Sequence, residues 1–209
     1  MLAKLLASRR RPTLVSADAL VQFLCERAAL ITQKTVIGYC YARTSLPLSE
    51  LMRDKPFADA FERGRWQAYA AVLEDMFVVA DGRLRLATTA RQEDLAAALV
   101  TRFDAALAEA AIAIAPDMRI AAAAQLRARL GTAEAQHSIA DIARTSGERV
   151  YESMPIHERH RRLDRDSIIA GVRFLMVGLA TEFDRRLNAP RIVADLLQSD
   201  DAATAESSA

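Results

Sequence analysis

Glycine and proline are scarce, seven and six in 209 residues. With so few turn residues, and almost no β-rich run bounded by turn signals, a sheet-based fold is excluded. Cysteine occurs only at Cys25 and Cys40, which excludes a disulfide-built scaffold. On one continuous helix the two would stand about 22 Å apart, too far to pair. Lysine is confined to Lys4, Lys34 and Lys55, so the positive charge is nearly all arginine. An excess of either sign is lacking as well: the formal net charge is +1. A general nucleic-acid binder carries a clear basic excess, so nucleic acid is not the favoured partner. No uncharged apolar run reaches the length of a membrane span; the closest, 167–180, is interrupted by Arg173. The first residues, MLAKLLASRRRP, lack the layout of a signal peptide. The expectation is a cytoplasmic protein without a transmembrane segment.

Catalytic signatures are missing too. The chain contains no G-x-S-x-G, no glycine-rich phosphate loop and no Cys-x-x-Cys. The reading therefore leans away from an enzyme and assigns no cofactor, no catalytic residue and no metal site.

What is present is helical. Hydrophobic residues make up 52% and charged residues 26%, the balance of a globular chain with its own core. The spacing of apolar residues predicts an all-α protein, an irregular bundle of six to eight helices. A single helical domain over 13–197 is expected, preceded by an N-terminal segment, 1–12, and followed by a disordered tail, 198–209. Leu2, Leu5 and Leu6, followed by Arg9, Arg10 and Arg11, give the N-terminal segment an amphipathic pattern capable of weak contact with an anionic membrane surface.

The pattern over 18–44 fits one long helix or two short ones. Drawn as helix, turn, helix it suits a small DNA-binding unit, but the turn lacks glycine and only Lys34 and Arg43 are basic in the second helix. Residues 56–80 carry two apolar stripes, one through Phe57, Phe61, Ala68, Val72 and Met76, the other through Trp66, Tyr69, Leu73 and Phe77. A helix apolar on two sides is buried on two sides, so this one should be central, with Gly64 permitting a close crossing. Asp81-Gly82 is read as its end, and Gly82 to Thr89 as the best candidate linker. Thr89-Ala-Arg-Gln92 suits a capping box. Thr132 is read as the cap of a helix through Ile139, Ile142 and Val150, bent at Ser146-Gly147. Asp164 or Asp166 caps the last strong helix, whose stripe runs Ile168, Val172, Leu175, Leu179 and Phe183. That helix, 166–187, is expected to be the second central element.

Four groups are candidates for function. Seven of the twelve aromatics lie between Tyr39 and Phe77. Tyr39, Tyr41, Arg65, Trp66 and Tyr69 are the candidate lining of an apolar ligand pocket, against the plainer reading of core. His157, Arg159, His160, Arg161, Arg162 and Arg165 form the densest basic cluster, a candidate for acidic or phosphate partners, against the plainer reading of a solvated loop. Glu134-Ala-Gln-His137 has the E-x-x-H spacing of carboxylate-bridged metal bundles, but the second such pair is missing. Arg173 interrupts an apolar face and is expected to reach water along it.

Three functions follow as expectations. The first is a non-catalytic interaction or regulatory module whose partner is itself or another protein. The alternatives are a binder of a small apolar or amphipathic molecule, and an enzyme whose site is assembled only in three dimensions.

Overall fold

A computed structural model describes residues 12–44, 46–88, 91–110 and 116–207. Among them stand eight helices of seven residues or more and no strand, an all-α bundle as the periodicity requires. The amphipathic pattern of the first residues and Thr89 of the expected capping box lie outside the described residues.

Helix α1 (Ala17–Thr32) opens on Ser16, whose hydroxyl accepts from the Ala19 amide at 3.2 Å. The Ala17 amide donates to the Asp195 carboxylate at 2.7 Å, a negative charge at the positive end of the helix. The helix does not stop at Thr32. It widens into a π segment, Gln33–Ile37, and continues as α2 (Gly38–Thr44). Within the widened turn the Thr35 hydroxyl donates back to the Ile31 and Thr32 carbonyls. Residues 18–44 are thus one helical run with a widened turn, and the helix, turn, helix drawing is not what forms. After the four-residue α3 (Leu48–Leu51) comes α4 (Lys55–Arg85), 31 residues long.

Helix α4 is the axis of the molecule. Every residue from 68 to 82 is buried. It packs against α1, against α5 (Gln92–Glu109), α6 (Pro116–Arg129) and α7 (Ile139–Ser153), and against the later α10 (Ala189–Ser207). Phe77 meets Phe103 of α5 edge-on at 5.3 Å between ring centres, and both are fully buried. Two glycines allow the close crossings. A Cβ at Gly64 would stand 2.1 Å from the Ser153 carbonyl oxygen, and one at Gly82 would stand 2.0 Å from that of Ala135. Asp81-Gly82 was expected to end this helix; instead the helix continues to Arg85. Gly82 is the point where the 3-10 turn Ala133–Gln136 crosses it, and the candidate linker is helical through Arg85.

Helix α5 begins at Gln92 behind Arg91, whose φ is 54°. The Gln92 side chain accepts from Arg85 at 3.0 Å and donates to the Thr88 carbonyl at 3.4 Å. Thr132 caps only the 3-10 turn, its hydroxyl accepting from the Glu134 amide at 3.2 Å. Ser138 then caps α7 afresh, accepting from the Asp141 amide at 3.2 Å. The expected bend at Ser146-Gly147 is instead a packing site on a continuous helix. Gly147 lies against Ile169, 3.3 Å from its Cα to where a Cβ would stand.

The short α8 (Glu158–Arg161) and a 3-10 turn, Arg162–Asp164, lead into α9 (Arg165–Arg186). Asp164 precedes α9 but makes no cap bond, because Tyr39 and Arg43 hold its carboxylate. Helix α9 packs on α7 and α1. Its buried residues are Ile168, Ile169, Val172, Met176, Ala180 and Phe183, the last stacked on Phe23 at 5.7 Å. Among the described residues only this side is covered, so they do not enclose α9 as the expectation of a second central element required. The stretch expected as a disordered tail continues α10 to Ser207; it has no glycine or proline to stop a helix. Among the described residues no helix is long and apolar enough to cross a membrane.

Candidate functional site

Of the aromatic candidates, α4 brings Arg65, Trp66 and Tyr69 to one cleft, and the π segment supplies its opposite wall. Ala29, Thr32, Gln33 and Ile37 line that side, and Ala110 closes one end. The cleft holds roughly 400 Å³. Trp66 and Tyr69 meet edge-on at 5.7 Å, and the Arg65 guanidinium lies 4.8 Å over the indole. Burial pushes the Tyr69 phenol and the half-buried Cys25 thiol up from their ordinary pKa. Burial pushes the Cys40 thiol up to about 11. Three polar atoms of the lining residues are buried and have no hydrogen-bond partner among the described residues: Thr32 Oγ1, Trp66 Nε1 and Arg65 Nε.

Tyr39 and Tyr41 are not part of this lining. The Tyr39 phenol donates to Asp164 at 2.8 Å and, with Arg43, ties α2 to the turn before α9. The Arg43 guanidinium holds the Asp164 carboxyl below its usual range. Tyr41 is exposed.

The basic run divides into two sets. Arg161 donates to the Met154 carbonyl at 2.6 Å and lies 5.0 Å over the Tyr151 ring. Arg165 reaches Glu148 at 3.3 Å. His157, Arg159, His160 and Arg162 are exposed; His157 caps α8, and Arg159 donates to His160 at 2.9 Å. Glu134 and His137 do not share a helical face. Glu134 sits in the 3-10 turn and binds Arg129, while His137 lies exposed beyond it. Arg173 donates to the Ala140 carbonyl at 2.7 Å and stands 3.9 Å from Asp141.

Sequence reasoning passed over the charges inside α4. Glu74, Asp75 and Asp81 are buried completely or nearly so. Arg129 contacts Glu74 at 2.6 Å, Asp75 at 2.7 Å and Glu134 at 2.5 Å. Arg149 reaches Glu74 at 2.5 Å, and Asp75 accepts from the Ser146 amide at 2.9 Å. Asp81 holds Arg85 and accepts from the Gly131 amide at 3.0 Å. Glu74, Asp75 and Glu134 put three carboxylates against two guanidinia, and burial pushes the Asp75 carboxyl up to about 6. The signal was available for two of them: Glu74 and Asp75, in the middle of a run that must be buried on two sides, need cations from other helices.

The remaining feature is the outer side of α9. Phe174 is 78% exposed and Val177 45%. Spacing of three and four places Ser167, Ala170, Phe174, Val177 and Thr181 on one row, and none of them is charged. Gly171 and Gly178 lie one turn before and after Phe174, with nothing within 4 Å of where a Cβ would stand. Leu163, 84% exposed, precedes the row in the turn before the helix. Comparison of the chain with protein families, with curated proteins and with solved structures finds no match in any of the three.

Proposed function

We propose that this chain is a non-catalytic helical interaction module that pairs with a second copy of itself through the outer face of α9. The observation that supports the reading is Phe174, a large apolar side chain left 78% exposed on an uncharged helical row. Such a face costs solubility and is kept where something covers it. The row is self-complementary. A bulky knob stands between two glycine gaps on the same face, so an antiparallel copy seats each Phe174 over a glycine of the other. A two-fold interface asks for nothing more, since one patch serves both sides.

Three of the charges flanking the row are engaged within the chain. Arg173 is held by α7, Arg165 by Glu148 and Asp184 by Arg83 at 2.8 Å. A seam of one helix is small beside a standard interface of about 800 Å² per partner, so pairing in about the micromolar range is expected.

Sedimentation velocity across concentrations tests the reading. The mass should rise from monomer to dimer in the wild type and stay monomeric in Phe174→Ser. Leu86→Ser, which removes another exposed side chain away from the row, should behave as wild type. A wild type that remains monomeric at high concentration would refute the reading.

A further inference from the structure

We infer that the corner built by α8 and the 3-10 turn after it binds an anionic membrane surface, with Arg159 and Arg162 on lipid phosphates and Leu163 in the interfacial layer. This goes beyond the pairing of α9 and does not depend on it. The run 157–165 holds four arginines and two acids, in a chain whose net charge is only +1. Asp164 is taken by Tyr39 and Arg43, which leaves Glu158 as the one exposed acid of the run. Arg165 meets Glu148 at 3.3 Å and Asp166 at 3.6 Å. Arg159, Arg161 and Arg162 form no ion pair among the described residues; Arg159 donates to His160 and Arg161 to the Met154 carbonyl. Arg161 and Arg165 stand over one ring, Tyr151, at 5.0 and 5.9 Å. Like charge is thus gathered at one corner of the fold, and an anionic partner relieves the repulsion.

The apolar residue decides among anionic partners. Spacing of three and four places Arg159, Arg162 and Leu163 on one side of these helical turns, and all three are exposed, Leu163 to 84%. A free phosphate or a soluble polyanion gains nothing from a leucine beside the guanidinium groups. A lipid surface does. Guanidinium groups take phosphates bidentately, and an apolar side chain next to them enters the boundary between headgroups and acyl chains. Nucleic acid is disfavoured, since the chain as a whole has no basic excess. Each basic residue near an anionic surface strengthens attachment about fivefold, so a few arginines and one leucine give weak, reversible binding.

Cosedimentation of the full chain with phosphatidylcholine vesicles, with and without phosphatidylglycerol, tests this. The wild type should pellet with the anionic vesicles and not with the neutral ones, and be released as salt rises. Arg159→Gln combined with Arg162→Gln should weaken binding about 25-fold. Arg127→Gln combined with Arg191→Gln, which removes the same charge from exposed positions on other helices, should bind as wild type. Leu163→Ser should weaken binding about tenfold. All five positions are exposed, and unchanged helical content by circular dichroism shows that the fold persists. No binding to anionic vesicles, equal binding to neutral ones, or equal losses in the two arginine pairs would each overturn the assignment. Leu163→Ser binding as tightly as the wild type would overturn it in favour of a soluble phosphate.

Discussion

Helices α4 and α9 are written in the same way, with apolar residues on two sides, and they meet different fates. Helix α4 finds both of its partners inside its own chain: α1 and α7, with α5 and α6 closing the rest. Helix α9 finds one, α7 with the flank of α1, and its other side carries Phe174 and Val177 into solvent. The difference shows also in how each helix treats charge. Inside α4, Glu74, Asp75 and Asp81 are buried and matched by Arg129, Arg149 and Arg85. The row on α9 carries no charge at all. A two-sided helix asks for two contacts, and where the described residues make only one, the proposed pairing would supply the second.

The sharpest way to break the α4 half of this contrast is Arg129→Met. It removes the cation shared by Glu74, Asp75 and Glu134 and leaves buried charge uncompensated, so urea unfolding should show a loss of about 3–5 kcal/mol. Gly82→Ala comes next. Its methyl would meet the Ala135 carbonyl oxygen at 2.0 Å, forcing the 3-10 turn away at a cost of about 1–3 kcal/mol by the same measurement.

Asp75 gives a pH signature. Its carboxyl is raised from 3.8 to about 6 in the folded chain, so between these values the folded state holds a proton that the unfolded state releases. Stability from this group is therefore present below about pH 4 and lost as pH rises through 6. In urea melts at a series of pH values, the stability of the wild type relative to Asp75→Asn should fall across that window and be level outside it. The smallest effect belongs to α9. Phe174→Ser should change the unfolding free energy of the dilute monomer by within about 0.5 kcal/mol, even as it abolishes pairing. A loss as large as that of Arg129→Met would mean that the face is covered within the chain.

Much of this architecture was legible in the residues. The two stripes of 56–80 identified the central helix, and Gly64 was read correctly as a crossing. Gly82 was not, because a glycine after an aspartate looks the same as a helix end until Ala135 is placed across it. The π segment was visible only as a loosening at 32–35, since the apolar spacing does not say which carbonyl each amide reaches. For the cleft, Arg65, Trp66 and Tyr69 follow from one helix face, but Thr32 and Gln33 come from a wall set by tertiary packing. Tyr39 and Tyr41 are near in sequence yet point to Asp164 and to solvent. The open side of α9 was hidden for a simpler reason: periodicity tells which faces are apolar and not how many neighbours the chain has to cover them.

The most direct test of the α9 interface is a distance between its two copies. A nitroxide at Ser167→Cys sits on the exposed row, and the native thiols, with pKa values raised by burial, react slowly by comparison. Antiparallel pairing over Phe174 places the two labels about 20–30 Å apart at 1.5 Å per residue along the helices. Pulsed electron double resonance at concentrations where the mass doubles should give that distance and lose it in Phe174→Ser. A dimer in which the labels show no distance below about 40 Å, or one that survives Phe174→Ser, would contradict the assignment of α9 as the interface.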